Sequence, residues 1–435
     1  MLDIRSLSGL ASRNGGWVFP GQGVRATSDV YFQYPAMMVP AMQRQILSHL
    51  RDDPGVKVVI DPFVGSGTML LESMAAGLDF LGVDINPLAV LLCRVKAGPY
   101  YPHALEEKTK LLKRAVETDR SNRIETALPN RDKWFTRPVQ IRLSRIRRAI
   151  TQDPALWARR FFWITLAETV RLCSNSRTST YKLHIRSLED LSTRNVEADA
   201  VFFWILKRNL AIYSATTERL SAMGRLRSGH YQGDTEIRLG DIRSQTGIRG
   251  DVVITSPPYG DNHTTVPYGQ AAYLPLHWMD LGDIDPKAAR YLISTHEIDY
   301  RSLGGSRTIS IDEVEDLTAR SPSLGRFLER VPRRDLSRLN HVSAFVRDLD
   351  HSLTAIMTML VDEGHLVWTV GNRKVLGRRV PLDLILSELL SNLGVDLVET
   401  ITRKIPGSRK RMPRRNGVDT TIRKESVLLF KKRDG

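Results

Sequence analysis

Short apolar runs ending at an acidic residue, each followed by a helix-like stretch, mark the beginning of the chain. Residues 57–61 (KVVID) and 80–84 (FLGVD) have the pattern of buried strands. Residues 68–77, closed by a glycine, and residues 87–96 have the pattern of helices. Alternation of strand and helix predicts a parallel sheet with helices on its faces.

The same pattern returns in the second half of the chain. Strands are predicted at residues 236–241, 251–255, 365–370, 396–402 and 426–431, and helices at 341–363 and 381–393. Residues 99–229 between the two halves are helical in character, with several arginines and aromatic residues. The predicted fold class is therefore α/β, Rossmann-like, with a mostly parallel seven-stranded sheet and a helical insertion.

This pattern divides the chain into three parts. Residues 1–98 form the N-terminal part of one catalytic domain, residues 99–229 the insertion, and residues 230–435 the C-terminal part. The last part contains a polar excursion at 283–335 and a basic loop at 403–415.

Composition narrows the class of protein. The 435 residues are 42% hydrophobic and 26% charged, as in an ordinary soluble globular protein. An excess of 63 Lys and Arg over 48 Asp and Glu, net +15, favours a polyanionic partner. Two cysteines exclude a disulfide framework, and no ligand cluster predicts a metal site. The chain shows neither a signal peptide nor a membrane-spanning stretch, so we expect a cytoplasmic protein without a membrane partner.

A glycine-containing turn between the first strand and helix predicts a cofactor loop. It comprises Asp61, Pro62, Phe63, Gly65, Ser66, Gly67 and Thr68. Glycine lets the backbone approach a ligand closely, and the helix N-terminus offers N–H groups to a carboxylate. A dinucleotide fingerprint would need glycine where Leu70 stands, and a phosphate-binding loop would need a lysine before Thr68.

Acidic residues at strand ends predict contacts to a nucleoside. Asp84 is placed to accept both ribose hydroxyls, and Asn86 and Pro87 would line the adenine side. Ile85 is a further candidate contact to the cofactor. Asp241, followed by Ile242, ends a later strand and could accept the adenine amine.

Ser256, Pro257, Pro258 and Tyr259 follow a buried strand and form a candidate clamp for a planar amine. The lone pair of such an amine is delocalised into its ring, which makes it a poor nucleophile. The Ser256 hydroxyl and the Pro257 carbonyl could accept its two hydrogens, while both prolines fix the backbone. Tyr259 could stack on a base taken out of its helix.

These motifs resemble those of the amino-methyltransferases that modify DNA at cytosine N4 or adenine N6. Residues 63–67 (FVGSG) fit the family's FxGxG-like loop, and residues 256–259 (SPPY) fit its (Ser/Asn/Asp)-Pro-Pro-aromatic segment. The resemblance implies S-adenosylmethionine as cofactor, double-stranded DNA as partner and a Rossmann-like methyltransferase fold. Serine at the first clamp position is the form usual among N4-cytosine enzymes. The two cysteines follow leucines rather than the proline of the C5-cytosine family, which argues against C5 methylation.

The resemblance also assigns further residues. Residues 31–47, including Tyr34, look like the family's methionine-side helix, and residues 260–270 like its substrate loop. Predicted DNA or substrate contacts are Asp261, Thr264, Thr265 and Tyr268, and in the basic loop Arg403, Lys404, Arg409, Lys410, Arg411, Arg414 and Arg415. The insertion and the excursion both remain candidates for reading the target sequence.

Three alternatives to an N4-cytosine enzyme at a specific sequence remain. They are N6-adenine methylation of DNA, methylation of a base amine in RNA, and a nucleic-acid-binding protein that has lost activity. A cognate restriction endonuclease is a possible partner, and the sequence does not determine the oligomeric state.

Overall fold

The fold is described from a computed structural model. It covers Gly9, Ala11, Trp17 and residues 30–262, 265–306, 308–331, 336–405, 422 and 424–434, without the side chains of 336–339.

A seven-stranded sheet lies at the centre of the molecule. Its strands are β1 (Val58–Asp61), β2 (Asp79–Asp84), β5 (Thr235–Leu239), β6 (Gly250–Thr255), β7 (Leu360–Val370), β10 (Val395–Lys404) and β11 (Lys424–Lys432). The order across the sheet is β10-β11-β7-β6-β1-β2-β5. The strands from β7 to β5 run parallel, and β11 is antiparallel to both β7 and β10. The predicted Rossmann-like, mostly parallel sheet is confirmed.

Topology places the polar strand ends together. The order reverses between β1 and β6, since β2 and β5 lie on one side of β1 whereas β6 and β7 lie on the other. Ligands of open parallel sheets bind at such a switch point, outside the carboxyl ends of the strands. Asp61, Asp84, Asp241 and Ser256 all lie at or just after those ends.

Helices cover both faces of the sheet. In the first part they are α1 (Pro40–Leu50), α2 (Thr68–Ala76) and α3 (Pro87–Ala97); in the insertion α4 (Pro102–Thr118), α5 (Arg131–Trp134), α6 (Arg137–Thr151), α7 (Leu156–Cys173), α8 (Leu188–Ser192) and α9 (Ala198–Ala222). The C-terminal part has α10 (Tyr268–His277), α11 (Glu297–Arg301), α12 (Ile311–Arg320), α13 (Pro322–Glu329), α14 (Leu336–Met359) and α15 (Leu382–Asn392). Short strand pairs are β3 (Leu226–Arg227) with β4 (His230–Tyr231), and β8 (Lys374–Val375) with β9 (Arg378–Arg379).

The helical insertion shares one hydrophobic core with the sheet. Helix α7 packs against α3, α9 and α10, and Phe161, Phe162 and Trp163 on it are at most 1% exposed. Two arginines of α6 pair within the insertion, Arg142 with Asp199 and Arg148 with Asp119. A role of the insertion in target recognition remains a prediction, but these two arginines already have protein partners.

Two predicted helices have different bounds in the structure. Residues 31–39 are not helical: Ala36 has a positive φ of 49°, and α1 begins only at Pro40. The helix predicted over 341–363 ends at Met359, because Leu360 already pairs with Gly250 in the sheet. Glu363, at φ 59°, marks the irregularity in β7 before its regular pairing begins at His365.

Within the described ranges, no helix is both long and apolar enough to cross a membrane. The described residues also contain no group of three or more His, Cys, Asp or Glu side chains that could hold a metal ion.

Candidate active site

The cofactor loop is a tight turn, and at position 67 only glycine fits. Gly65 and Gly67 have φ of 47° and 72°. A Cβ on Gly67 would lie 2.9 Å from Cys93 Sγ on α3. The backbone therefore passes close to α3, and α2 starts directly after the turn with N–H groups free for an anion.

Asp61 is the buried anchor at the start of this loop. Its Oδ1 accepts hydrogen bonds from the Thr255 hydroxyl at 2.6 Å and from the Phe63 N–H at 3.1 Å. Burial raises the pKa of Asp61 to about 7 despite these bonds. Its Oδ2 has no hydrogen-bond partner among the described residues. A buried acceptor without a partner is costly, and a ligand that donates a hydrogen bond would satisfy it.

Asp84 joins the second strand to the loop. Its Oδ2 accepts the Gly65 N–H and its Oδ1 accepts the Asn86 N–H, both at 2.8 Å. Burial raises the pKa of Asp84 to about 6, while the backbone bonds act in the opposite direction. A carboxylate oxygen can accept more than one hydrogen bond, so both can still receive a ribose hydroxyl.

Asp241 is engaged more strongly than the sequence suggests. Arg243 donates to both of its carboxylate oxygens, with Nη2–Oδ2 at 2.6 Å, and also contacts Asp348 at 3.1 Å. The proposed contact between Asp241 and an adenine amine has to share the carboxylate with this guanidinium.

One cavity joins the predicted cofactor residues to the clamp. It encloses about 720 Å³ of space between atoms, including its solvent-open mouth. Its lining includes Tyr34, Pro62, Phe63, Gly65, Asp84, Ile85, Asn86, Asp241, Ile242, Ser256, Pro258 and Tyr268 from the predicted set. Asp61, Ser66, Gly67 and Thr68 support the loop behind it, where the Ser66 and Thr68 hydroxyls lie 3.1 Å apart. The cofactor loop and the clamp, which are far apart in sequence, thus line the same cavity.

Two tyrosines predicted for different ligands lie together in this cavity. The rings of Tyr34 and Tyr268 have centroids 5.7 Å apart, and Asn86 Nδ2 donates to the Tyr34 hydroxyl at 3.3 Å. Tyr268 is therefore close to the nucleoside side of the cavity as well as to the substrate loop.

The clamp is held by contacts to the neighbouring strands. Ser256 Oγ donates to the Thr369 carbonyl on β7 at 3.1 Å and lies 3.2 Å from the Tyr259 hydroxyl. The Tyr259 hydroxyl donates to Glu425 Oε1 on β11 at 3.2 Å. Burial, and then the Glu425 carboxylate, raise the pKa of Tyr259 well above its usual value. The Tyr259 ring packs closely on Gly371, where a Cβ would come within 2.7 Å of it.

The substrate loop is anchored at both ends. Asp261, fully buried, forms an ion pair with Arg373 at 3.1 Å, and the Thr265 hydroxyl donates to the Asp261 carbonyl at 2.7 Å. Asp299 accepts the Gly269 N–H at 2.9 Å and a hydrogen bond from the Asn262 side chain. Burial raises the pKa of Asp299 to about 6. Asp261 is thus a structural anchor in this conformation, and Thr264 lies outside the described residues.

The structure describes only the beginning of the predicted basic loop. Arg403 lies in β10, 2% exposed, and its guanidinium pairs with Glu425 rather than facing solvent. Lys404 is exposed at the end of the same strand. Arg409, Lys410, Arg411, Arg414 and Arg415 lie outside the described residues. A phosphate contact by Arg403 remains a prediction, and its guanidinium would have to leave Glu425 to make one.

Several lining residues escaped the sequence analysis. The excursion supplies Ile298, Arg301, Ser302 and Leu303, and the substrate loop supplies Asn262. Asn262 is 1% exposed, and its Oδ1 has no hydrogen-bond partner in the part of the chain that the structure describes. An asparagine three residues after the clamp tyrosine was the only available signal for it, whereas the excursion residues carry none.

A type II methyltransferase is similar to this protein over most of the chain. No protein-family model matches. The chain is 31% identical over 415 residues to the type II methyltransferase M.MvaI of Kocuria varians. The aligned region covers 92% of this chain and 88% of M.MvaI. It is 44% identical over 43 residues to the type II methyltransferase M.MjaII of Methanocaldococcus jannaschii, covering 10% of this chain and 8% of the relative.

Solved structures were compared as well. Two structures of the rRNA methyltransferase aviRa from Streptomyces viridochromogenes align at 12% identity with TM-scores of 0.32 and 0.31. They cover 93% and 92% of this chain, and this chain covers 90% and 86% of theirs.

Proposed function

Because the chain belongs to the type II methyltransferase family, we propose that it methylates the N4 amine of cytosine in double-stranded DNA at a specific sequence. The observation that carries this proposal is the single cavity between the nucleoside-side residues and the clamp. A methyl donor on one side and a target amine on the other would meet there.

The methyl donor is S-adenosylmethionine. It supplies an electrophilic methyl group on a positively charged sulfur. The residues present fit this group: the loop at Gly65 and Gly67 leaves room for close backbone approach, and the unpartnered Asp61 Oδ2 offers a buried acceptor. Asp84 would hold the ribose, while Ile85, Asn86 and Ile242 would line the adenine.

The clamp would act on the target amine. Ser256 Oγ and the Pro257 carbonyl accept its two hydrogens and favour a pyramidal nitrogen whose lone pair can attack. The methylated amine then gives its extra proton to solvent, so the site needs positioning more than a strong base. Serine rather than asparagine or aspartate in the first clamp position supports cytosine N4 over adenine N6.

DNA as substrate is supported by the relative and by the net charge of +15. Exposed Lys404 would contact phosphate, as would the arginines and lysines of 409–415. Base flipping belongs to the same proposal, because an enzyme that modifies a base amine has to take the base out of its stack. A cognate restriction endonuclease, as in type II restriction–modification, is part of the same proposal.

Incubation with the cofactor and unmethylated genomic DNA, followed by nucleoside mass spectrometry, tests this function. We expect N4-methylcytosine from the wild type and a loss of at least about 100-fold in Ser256→Ala, on the scale of removing one group that stabilises a transition state. Ser391→Ala, at an exposed serine of α15, is the matched control and should retain activity. N6-methyladenine would overturn the base assignment, methylated RNA alone would overturn the DNA assignment, and no product with intact cofactor binding would identify an inactive binding protein.

A further inference from the structure

A buried chain of polar groups runs from the clamp into the sheet. Ser256, Tyr259, Glu425 and Arg403 follow one another along it. Glu425 is 7% exposed and Arg403 is 2% exposed. Glu425 had no predicted role, Arg403 was predicted as a DNA contact, and neither residue lines the cavity.

The number of hydrogens that each hydroxyl can donate limits the direction of the hydrogen bonds among these four residues. Each hydroxyl has a single hydrogen to donate, whereas a carbonyl or a carboxylate only accepts. Ser256 gives its hydrogen to the Thr369 carbonyl, and Tyr259 gives its hydrogen to the Glu425 carboxylate. Ser256 Oγ, 3.2 Å from the tyrosine oxygen, then receives no hydrogen from Tyr259. Both lone pairs of Ser256 Oγ stay available to an incoming donor.

Arg403 keeps Glu425 in the orientation that this direction requires. Its Nε donates to Glu425 Oε2 at 2.8 Å, and its Nη2 donates to the same oxygen. Oε1 is thereby left for Tyr259. Arginine remains charged in proteins, so it favours the carboxylate form of its partner.

We propose that Glu425, held by Arg403, is a positioning residue that draws the Tyr259 hydrogen away from Ser256 and so keeps the Ser256 hydroxyl oxygen an acceptor for the target amine. This inference rests on the proposed amine methylation. Without the carboxylate, the Tyr259 hydrogen turns to Ser256 Oγ and occupies one of its two lone pairs. The amine then competes with the tyrosine for the Ser256 oxygen, and its hydrogen bond to that oxygen is weakened.

Glu425→Gln tests this with little change in shape. Arg403 attracts the amide oxygen, so the amide NH₂ faces Tyr259 and drives the tyrosine hydrogen towards Ser256. We expect kcat to fall on the order of tenfold, the scale of one lost hydrogen bond to the reacting group, with the dissociation constant of S-adenosylmethionine unchanged. Asp350→Asn, which removes a buried partner of Arg320 on α14, controls for the loss of any buried ion pair and should leave kcat unaltered.

A double-mutant cycle separates positioning from a merely structural role. Tyr259→Phe retains the ring and removes the hydroxyl, so in that background Glu425→Gln has no hydrogen to redirect. The inference predicts that Glu425→Gln lowers kcat in the wild-type background but not relative to Tyr259→Phe. An equal factor in both backgrounds, or no decrease in either, would overturn it.

An activity-independent readout separates this inference from the proposed function. In protein labelled with ¹³C at the tyrosine Cζ, the Tyr259 resonance is assigned from its absence in Tyr259→Phe. We expect this resonance to shift in Glu425→Gln and not in Asp350→Asn. A wild type that methylates no nucleic acid would refute the proposed function, whereas an unshifted resonance would refute the redirected hydrogen bond itself.

Discussion

The carboxylate of Asp84 accepts the backbone N–H of Gly65 at 2.8 Å. The end of β2 is thereby tied to the glycine turn after β1, and the two halves of the nucleoside site form one unit. A substitution at Asp84 or at Gly65 should therefore alter the position of the other residue.

Cofactor affinity should fall at acid pH because of Asp84. Burial raises its pKa from 3.8 to about 6, so the buried charge opposes folding in full above pH 6, and this penalty fades as the pH falls from 6 towards 3.8. Ribose hydroxyls favour the ionised form. The dissociation constant of S-adenosylmethionine should thus be constant above pH 6 and rise by up to about tenfold per pH unit below it.

Titration calorimetry from pH 5 to pH 8 measures this, with Asp84→Asn as the control. The variant should bind roughly 10- to 100-fold more weakly, as expected for lost hydrogen bonds to a charged group. Its affinity should no longer change near pH 6. A remaining dependence near pH 7 would report Asp61, whose pKa burial raises to about 7.

Gly67→Ala should destabilise the fold and weaken cofactor binding. The left-handed backbone costs about 1–2 kcal/mol for a residue with a Cβ. At Gly67 the new Cβ would also meet Cys93 Sγ at 2.9 Å. Gly224→Ala is the matched control, since Gly224 has a similar φ of 67° but nothing within 4 Å. Thermal unfolding should show a larger loss for Gly67→Ala, and equal losses would mean that the contact with Cys93 is relieved without cost.

Local sequence pattern was enough to predict the strands, the glycine turn and the clamp, because each consists of consecutive residues. The carboxyl ends of four parallel strands lie at the same edge of the sheet, and this arrangement brings Asp84 and Ser256 into one cavity. What the pattern could not supply are pairings between distant residues. Tyr259 and Glu425 are 166 positions apart, and no local signal joins them.

The same limit explains why the sequence did not indicate that Arg403 is buried and paired with Glu425. In the sequence it belongs to a run of basic residues and resembles a phosphate contact. In the fold it faces Glu425 across the antiparallel pair β10–β11, where the two residues are register partners. The helix predicted at residues 31–39 is absent for a related reason. Several apolar side chains of this segment are buried in the core, but the backbone there is not helical.

Arg403 and Lys404 should respond differently to substitution. Arg403→Gln leaves Glu425 buried without its charged partner and should cost about 3–5 kcal/mol of unfolding free energy. Lys404→Ala should leave stability unchanged but weaken DNA binding. The slope of log affinity against log salt should decrease by about 0.9 for one lost phosphate contact. Denaturant unfolding and DNA binding at several salt concentrations measure both. A stable Arg403→Gln with a reduced salt slope would support Arg403 as a phosphate contact.

Asn262 should contribute to ligand binding through its free oxygen. Its side chain donates to Asp299, whereas its buried Oδ1 has no partner among the described residues. The residue itself lines the cavity. Asn262→Ala removes both the acceptor and the anchoring bond. We expect kcat/KM to fall roughly tenfold, the scale of one hydrogen bond to a ligand N–H. Cofactor titration on the same variant shows whether that N–H belongs to the cofactor or to the target base.

Asp299→Ala separates anchoring from the contact in the cavity. It removes the partner of the Asn262 amide and of the Gly269 N–H but leaves Asn262 Oδ1 in place. If the oxygen binds a ligand, Asn262→Ala should be the more damaging of the two, because only it deletes the acceptor. Equal losses in the two variants would show that Asn262 acts by holding the substrate loop. The buried oxygen would then be satisfied by water rather than by a ligand.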